Sequence, residues 1–143
     1  EKEYGGQIRD LGVTFGSTPK GATAVCRITW YGEKHIYVDR EQYNSIIQEK
    51  YGRSLIEMVI FHELGHCVLE KLEHDNRRIA ILVTAEDRNN NEIILKRKAA
   101  GSIMNQSLDM YDALMMQQHK HLYYDELFNG VPIEDGTEIY LKY

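Results

Sequence analysis

The segment FHELGHCVLEKLEHDN, residues 61–76, decides how the rest of the chain is interpreted. His62 and His66 stand four residues apart in it, and Glu63 directly follows the first histidine. Residues four apart on an α-helix lie on one face, about 6 Å apart along the axis. The spacing therefore predicts two imidazoles directed at one point, with a carboxylate beside them, roughly 100° further round the helix.

Two capping signatures predict the helices of this region. Ser54 and Glu57 have the spacing of a capping box, and apolar residues recur at helical intervals from there to Val68, so a helix is expected to begin at Ser54. An earlier helix is predicted to begin at Asp39, which Gln42 follows three residues later, and to stop at Gly52.

Alternating, β-branched and aromatic residues predict the strands that precede these helices. Residues 22–30 and 34–38 are predicted strands joined around Gly32. Residues 8–15 are expected to form a further strand.

After the histidine segment, residues 78–97 predict a β-hairpin around a polar loop. A long helix is predicted to be capped by Ser107 and to end at Asn129-Gly130. Residues 131–143 contain an Asp135-Gly136 turn and are expected to form a final hairpin or a loose arm. The predicted class is α+β, with an N-terminal mixed sheet over the histidine helix and a small C-terminal part that contains the long helix.

Composition limits the architecture and the partners. The chain has 143 residues, of which 43% are hydrophobic, and this predicts one domain over residues 1–143. Its net charge of −5 argues against binding to nucleic acid. The longest aliphatic run, residues 79–83, is too short to span a bilayer. We expect a monomer. Since the sequence begins at Glu1 with no signal segment, a mature or trimmed chain is expected.

The residue types of the histidine helix suit metal-dependent hydrolysis. Two neutral imidazoles bind zinc and keep it Lewis-acidic, so that the pKa of a coordinated water falls towards 7. A carboxylate beside the metal, here Glu63, can take the proton of that water without being a ligand. A catalytic zinc site needs a third protein ligand. The alternative interpretation is a helix that carries two surface histidines by chance and binds no metal.

The motifs as a set resemble the metzincins, zinc endopeptidases with the pattern HExxHxxGxxH and a later S-I-M turn. His62 to His66 match the first half, His74-Asp75 resembles the third ligand and its follower, and Ser102-Ile103-Met104 resembles the turn. The chain is also similar to small bacterial metzincin-like metallopeptidases over residues 8–128. The segments that carry this similarity are Cys26, Ile36 to Asp39, Phe61 to Cys67, His74, Ser102 to Met104 and Glu126 to Phe128. Residues 129–143 lie outside it.

The resemblance implies a metzincin-like zincin fold and a zinc-dependent endopeptidase that acts on peptide or protein substrates. It implies His62, His66 and His74 as the ligands of Zn2+, Glu63 as the catalytic base, and Met104 of the Met-turn as packing beneath the metal site. It also implies a bacterial protein, and a disulfide between Cys26 and Cys67 would place that protein outside the cytoplasm, whether it is periplasmic, cell-surface or secreted.

The chain departs from the metzincin pattern at the third ligand. Leu69 stands where the pattern has glycine, and His74 follows His66 by eight residues in place of six. We expect the longer gap to add a helical turn through Leu72 before the chain reverses. Asp75 and Glu73 remain alternative ligands, in that order. His119 or His121 would be the third ligand only if the long helix folded back across the cleft.

The two cysteines, Cys26 and Cys67, are predicted to form a disulfide, and two buried thiols are the alternative. Cys67 directly follows a predicted ligand, and Cys26 lies on a strand that the sheet can lay over the helix. A disulfide would agree with an extracytoplasmic location.

Two other functions remain open. The HExxH domains of cytosolic stress-response or phage-repressor regulators also read H-E-L-G-H, but have an acidic third ligand and no S-I-M. A metzincin-shaped module that holds zinc without turnover is the second alternative, and an intact Glu63 argues against it.

Overall fold

The computed structural model describes residues 11–140, which form a mixed α+β architecture of six strands and four helices. This agrees with the predicted class. The chain divides into two compact units, the first ending at His74 and the second beginning at Asp75. Within the described residues, no helix is long and apolar enough to cross a membrane.

The sheet of the first unit contains β1 (Leu11–Phe15), β2 (Ala24–Ile28) and β3 (Lys34–Val38) in the order β1-β3-β2. β1 runs parallel to β3 and β2 runs antiparallel to it, so the sheet is mixed. The β2–β3 hairpin turns at Gly32, whose φ of 85° favours glycine. The three predicted strands are present. β2 is two residues shorter at each end than the predicted 22–30, and residues 8–10 of the first predicted strand lie outside the described part of the chain.

Strand β2 forms an edge of this sheet, and its backbone groups alternate in direction. Thr23 accepts a hydrogen bond from Asp39, and Thr29 donates one to Glu33, each at 2.8 Å. In an antiparallel pair every second residue is bonded to the neighbouring strand. Ala24, Cys26 and Ile28 alternate with the bonded residues and therefore direct their N–H and C=O groups away from β3.

Helix α1 (Arg40–Ile47) begins where its capping signature predicts. The Asp39 carboxylate accepts a hydrogen bond from the Gln42 N–H at 2.8 Å. The helix ends at Ile47, so the predicted continuation to Gly52 is wrong. The chain tightens there, because the Glu49 N–H bonds to Ile46 three residues back and leaves the α-helical pattern.

Helix α2 (Gly52–Cys67) begins two residues before the predicted cap, so that prediction is wrong. The Leu55 N–H donates to the Tyr51 carbonyl at 3.0 Å, and this starts the helical hydrogen bonds. Gly52 passes so close to Ile46 that a Cβ atom would collide with that carbonyl. The packing of α1 against the start of α2 thus sets the boundary, and Ser54 is buried inside the first turn.

The second unit contains a sheet in the order β5-β4-β6. β4 (Arg78–Glu86) and β5 (Glu92–Ala100) form the predicted hairpin, which extends to Ala100. β6 (Thr137–Tyr140) pairs in parallel with β4. The expectation of a final hairpin or loose arm is therefore wrong, since burial of Ile139 makes the tail a third strand.

The predicted long helix is two helices, α3 (Met110–Gln118) and α4 (Lys120–Asn129). The backbone leaves helical geometry at His119, with φ −135° and ψ 44°, and a ring nitrogen of His119 bonds to the Tyr140 carbonyl at 2.8 Å. Gly130, with φ 66°, ends α4 as predicted.

The cap of α3 is also displaced from the predicted residue. Asp109 caps this helix in place of Ser107, because its carboxylate accepts from the Asp112 N–H at 2.9 Å. The Asp112 carboxylate accepts in return from the Asp109 N–H at 3.0 Å. This reciprocal pair is a capping box with aspartate in the place of the more usual glutamate.

Candidate metal centre

His62 and His66 lie on the last two turns of α2, as their spacing predicts. His62 is buried and His66 is half-buried. Their Nε2 atoms are 3.2 Å apart, and their ring centroids are 4.9 Å apart. The helix therefore directs both imidazoles at one point.

The chain reverses directly after α2, and this brings the third histidine back. The helix ends at Cys67, so the expected extra turn through Leu72 is wrong. The Lys71 N–H bonds to the Gly65 carbonyl at 2.9 Å, which closes a turn wider than the helical one. Glu70 makes the reversal possible with φ 55°, a conformation that glycine would adopt more readily. The metzincin pattern has glycine at the position of Leu69, so the reversal at Glu70 comes one residue later than the pattern predicts.

His74 completes a group of three imidazoles. Its Nε2 atom is 3.3 Å from that of His66. Its ring centroid is 5.1 Å from that of His62 and 5.0 Å from that of His66. One nitrogen from each of the three rings lies within 4.8 Å of the others, and no second group of this kind occurs among residues 11–140. His74 itself is exposed.

The alternative ligands have other partners or stay outside the group. The Asp75 carboxylate forms a two-pronged ion pair with Arg77, in which Nε donates to Oδ1 and Nη2 donates to Oδ2, each at 2.9 Å. His119 and His121 have ring centroids 6.3 Å apart, and His119 bonds to a backbone carbonyl. Neither these residues nor Glu73 belongs to the three-imidazole group.

Two of the three nitrogen separations in the group match those of a tetrahedral metal site. Ligand nitrogens that each lie 2.0–2.1 Å from one zinc ion at tetrahedral angles are separated by about 3.3–3.4 Å. The two Nε2 separations at His66, 3.2 Å and 3.3 Å, agree with that value. Three imidazoles suit zinc, copper, nickel and iron, so the group can hold a metal ion but does not itself select one.

A backbone carbonyl orients His66. Its Nδ1 atom lies 2.6 Å from the Lys71 carbonyl oxygen, which can only accept, so Nδ1 carries the proton and donates. In the neutral imidazole the Nε2 atom is then the unprotonated nitrogen, which is the form a metal requires. Sequence reasoning missed this contact, because no side-chain motif records which carbonyl the turn at Glu70 presents.

Glu63 lies beside the imidazole group without belonging to it. The carboxylate is half-buried, and its Oε2 atom accepts a hydrogen bond from the backbone N–H of Cys26 at 3.1 Å. Burial raises the pKa of Glu63, while the positive charge that His66 has when it is protonated and the Cys26 N–H act in the opposite direction. The net effect is a pKa above the ordinary value, which moves the carboxylate towards the range useful to a general base.

A disulfide joins Cys26 of β2 to Cys67 at the end of α2. Their Cα atoms are 6.0 Å apart, although 41 positions separate them in sequence. The bridge fixes the edge strand against the helix that carries the two histidines. The contact of the same Cys26 with Glu63 gave no signal in the sequence, because it is made by a backbone atom.

The S-I-M segment of the second unit forms a tight turn. The Asn105 N–H donates to the Ser102 carbonyl at 3.2 Å, and the Met104 N–H donates to the Ser102 hydroxyl oxygen at 3.0 Å. The same hydroxyl donates to the Glu126 carboxylate at 2.8 Å. Ser102 and Met104 are both buried. The turn is therefore built as its motif suggests, and the place of Met104 beneath a metal stays a prediction.

Replacing His74 with alanine is expected to weaken zinc binding by at least about 100-fold, because losing a ligand costs more than losing an outer-shell partner. The exposed position of His74 should leave thermal unfolding almost unchanged. Competition with a chromophoric chelator measures the affinity. Glu73→Ala, a change at the neighbouring exposed position, is the control and should bind zinc like the wild type. Full zinc occupancy of His74→Ala in the presence of the chelator would show that His74 is not a zinc ligand.

Replacing Glu70 with glycine is expected to leave stability unchanged or to raise it by up to about 1 kcal/mol. Glycine adopts the left-handed conformation without strain, which stabilises the folded chain. Its greater flexibility in the unfolded chain lowers the stability and opposes this gain. Glu70→Val should be less stable than Glu70→Gly by more than about 1 kcal/mol, since a β-branched residue resists positive φ. Urea unfolding of both variants checks the order. Equal stability of the two would show that this reversal is not strained.

Comparison with known proteins supplies no further constraint on this site. No family model, no curated protein and no solved structure matches the chain.

Proposed function

We propose that the protein is a zinc-dependent endopeptidase whose metal is held by His62, His66 and His74. The observation that carries the proposal is the convergence of three imidazole nitrogens, at 3.2 Å and 3.3 Å from the shared His66 nitrogen, beside a glutamate that is not one of them. Three protein ligands and a vacant fourth position are typical of catalytic zinc, whereas structural zinc is usually closed by four. A zinc ion bound there would supply a Lewis acid that polarises a peptide carbonyl and makes a water more acidic.

Glu63 is the general base of the proposed reaction. Its Oε2 atom is engaged by the Cys26 N–H, which leaves Oε1 to take a proton from the attacking water and to return it to the leaving amine. His66, oriented by the Lys71 carbonyl, keeps its unprotonated nitrogen directed at the metal position.

The substrate in this proposal is an extended peptide that lies along the outer edge of β2. Ala24 and Ile28 direct their N–H and C=O groups away from β3, whereas the N–H of Cys26 between them is already bonded to Glu63. Such an edge binds a peptide as an added strand, in which main-chain hydrogen bonds give the affinity. Ile28 is 57% exposed and offers an apolar contact on the same strand.

The fold and location that we propose are those of an extracytoplasmic metzincin-like enzyme. The HExxH helix, the third histidine after a chain reversal and the S-I-M turn support the fold. The disulfide supports the location, because such bonds persist in oxidising compartments. We also propose that Met104 acts as packing and not as a ligand, in keeping with its thioether chemistry.

A regulatory HExxH domain is the second candidate, and the ligand group argues against it. That class uses an acidic third ligand, whereas the Asp75 carboxylate here pairs with Arg77. A zinc-holding module without turnover would have no need for a half-buried glutamate held beside the metal position.

Replacing Glu63 with alanine is expected to lower peptide hydrolysis by at least about 100-fold while zinc remains bound, because the base is lost and the ligands are not. Hydrolysis of a quenched fluorescent peptide library, together with zinc content by mass spectrometry, measures both properties. Glu73→Ala is the matched control and should keep wild-type activity and zinc. Equal hydrolysis by wild type and Glu63→Ala would refute the mechanism.

A further inference from the structure

Cys26 makes two contacts with α2 that no other described residue combines. Its sulfur is bonded to Cys67, and its N–H donates to the Glu63 carboxylate at 3.1 Å. Glu63 and Cys67 are four residues apart, so they lie on one face of the helix. That face is the neighbour of the one that carries His62 and His66, and β2 packs against α2.

The hydrogen bond to Glu63 is not part of the sheet. Residues on either side of Cys26 bond to β3, whereas the Cys26 N–H points outward from the edge. The sheet would form without this N–H, and its direction towards Glu63 therefore depends on how β2 is held against α2. The disulfide supplies that restraint at the same residue.

A glutamate side chain has three rotatable bonds, so one fixed oxygen limits its orientation strongly. With Oε2 engaged, Oε1 is the oxygen left to accept a proton. A base displaced by about 1 Å can lose roughly 100-fold in rate, so the restraint has consequences for catalysis that exceed its effect on the fold.

We propose that Cys26 is a positioning residue: the Cys26–Cys67 disulfide holds the Cys26 N–H on Glu63, and full peptidase activity requires this bridge. The inference rests on the proposed endopeptidase function. It adds a dependence of the catalytic base on a covalent bond that lies outside the ligand set.

Amide hydrogen exchange tests the contact without any metal or activity. In the oxidised wild type, the Cys26 amide should exchange at least about 10-fold more slowly than in Glu63→Ala and in Cys67→Ala. The Val25 amide, which faces β3, should stay protected in all three proteins. Equal exchange of the Cys26 amide in the wild type and Glu63→Ala would overturn the inference. Since Glu63→Ala retains the disulfide, this comparison survives if Cys67→Ala fails to fold.

Kinetics test the consequence. Cys26→Ala/Cys67→Ala keeps the N–H but loses the bridge, and its kcat should fall about 10-fold with KM and zinc content unchanged. Cys26→Pro/Cys67→Ala also loses the N–H, and its kcat should fall by about 10-fold more. Proline is tolerated at this position because the Cys26 N–H faces outward from an edge strand. Arg27→Ala, which removes contacts of β2 with Ser17 and Tyr37, is the control for general loosening and should keep its kcat.

The outcomes separate this inference from the proposed function. An oxidised wild type that hydrolyses no peptide would refute the peptidase and, with it, the claim that its activity needs the bridge. Wild-type activity with unchanged kcat in both double variants would refute the positioning role alone. Loss of zinc or a raised KM in Cys26→Ala/Cys67→Ala would make the bridge merely structural and would also overturn the inference.

Discussion

The reversal of the chain after α2 is the constraint on which the candidate site depends. Two histidines on a helix can direct their nitrogens at one point, but a third imidazole must come from a chain that has turned back. The turn at Glu70 provides this, and its Lys71 carbonyl also accepts a hydrogen bond from His66. One short segment therefore both returns His74 to the site and selects the nitrogen that carries the proton in neutral His66.

The neighbouring face of the same helix supplies the other half of the site. Glu63 and Cys67 both contact Cys26 of β2, one through a hydrogen bond and one through a covalent bond. The first unit thus places the three imidazole nitrogens beside one face of α2 and the restrained Glu63 carboxylate on the neighbouring face. This separation of ligand and base is what metal-assisted hydrolysis needs, because the base must reach a water without binding the metal.

The sequence predicted those parts of the molecule that depend on regular periodicity. The spacing of His62 and His66 predicted their convergence, and alternation in residues 34–38 predicted β3. Boundaries decided by tertiary contacts were predicted less well. Ser54 has the sequence of a cap, yet the close approach of Gly52 to α1 starts the helix earlier. The break at His119 follows a bond to a distant backbone carbonyl, which no local pattern encodes. The turn at Glu70 was missed for a related reason, since a non-glycine residue at positive φ has no composition signal.

A crystal structure of the oxidised chain loaded with zinc, with anomalous data collected at the zinc edge, shows directly whether the three imidazoles hold the metal. One ion is expected, with the Nε2 atoms of His62, His66 and His74 at about 2.0–2.1 Å and no fourth ligand from the protein. Glu63 should lie beside the ion, uncoordinated, with its Oε2 atom still bonded to the Cys26 N–H. A carboxylate of Glu63, Glu73 or Asp75 in place of one imidazole, or an ion bound elsewhere, would contradict it.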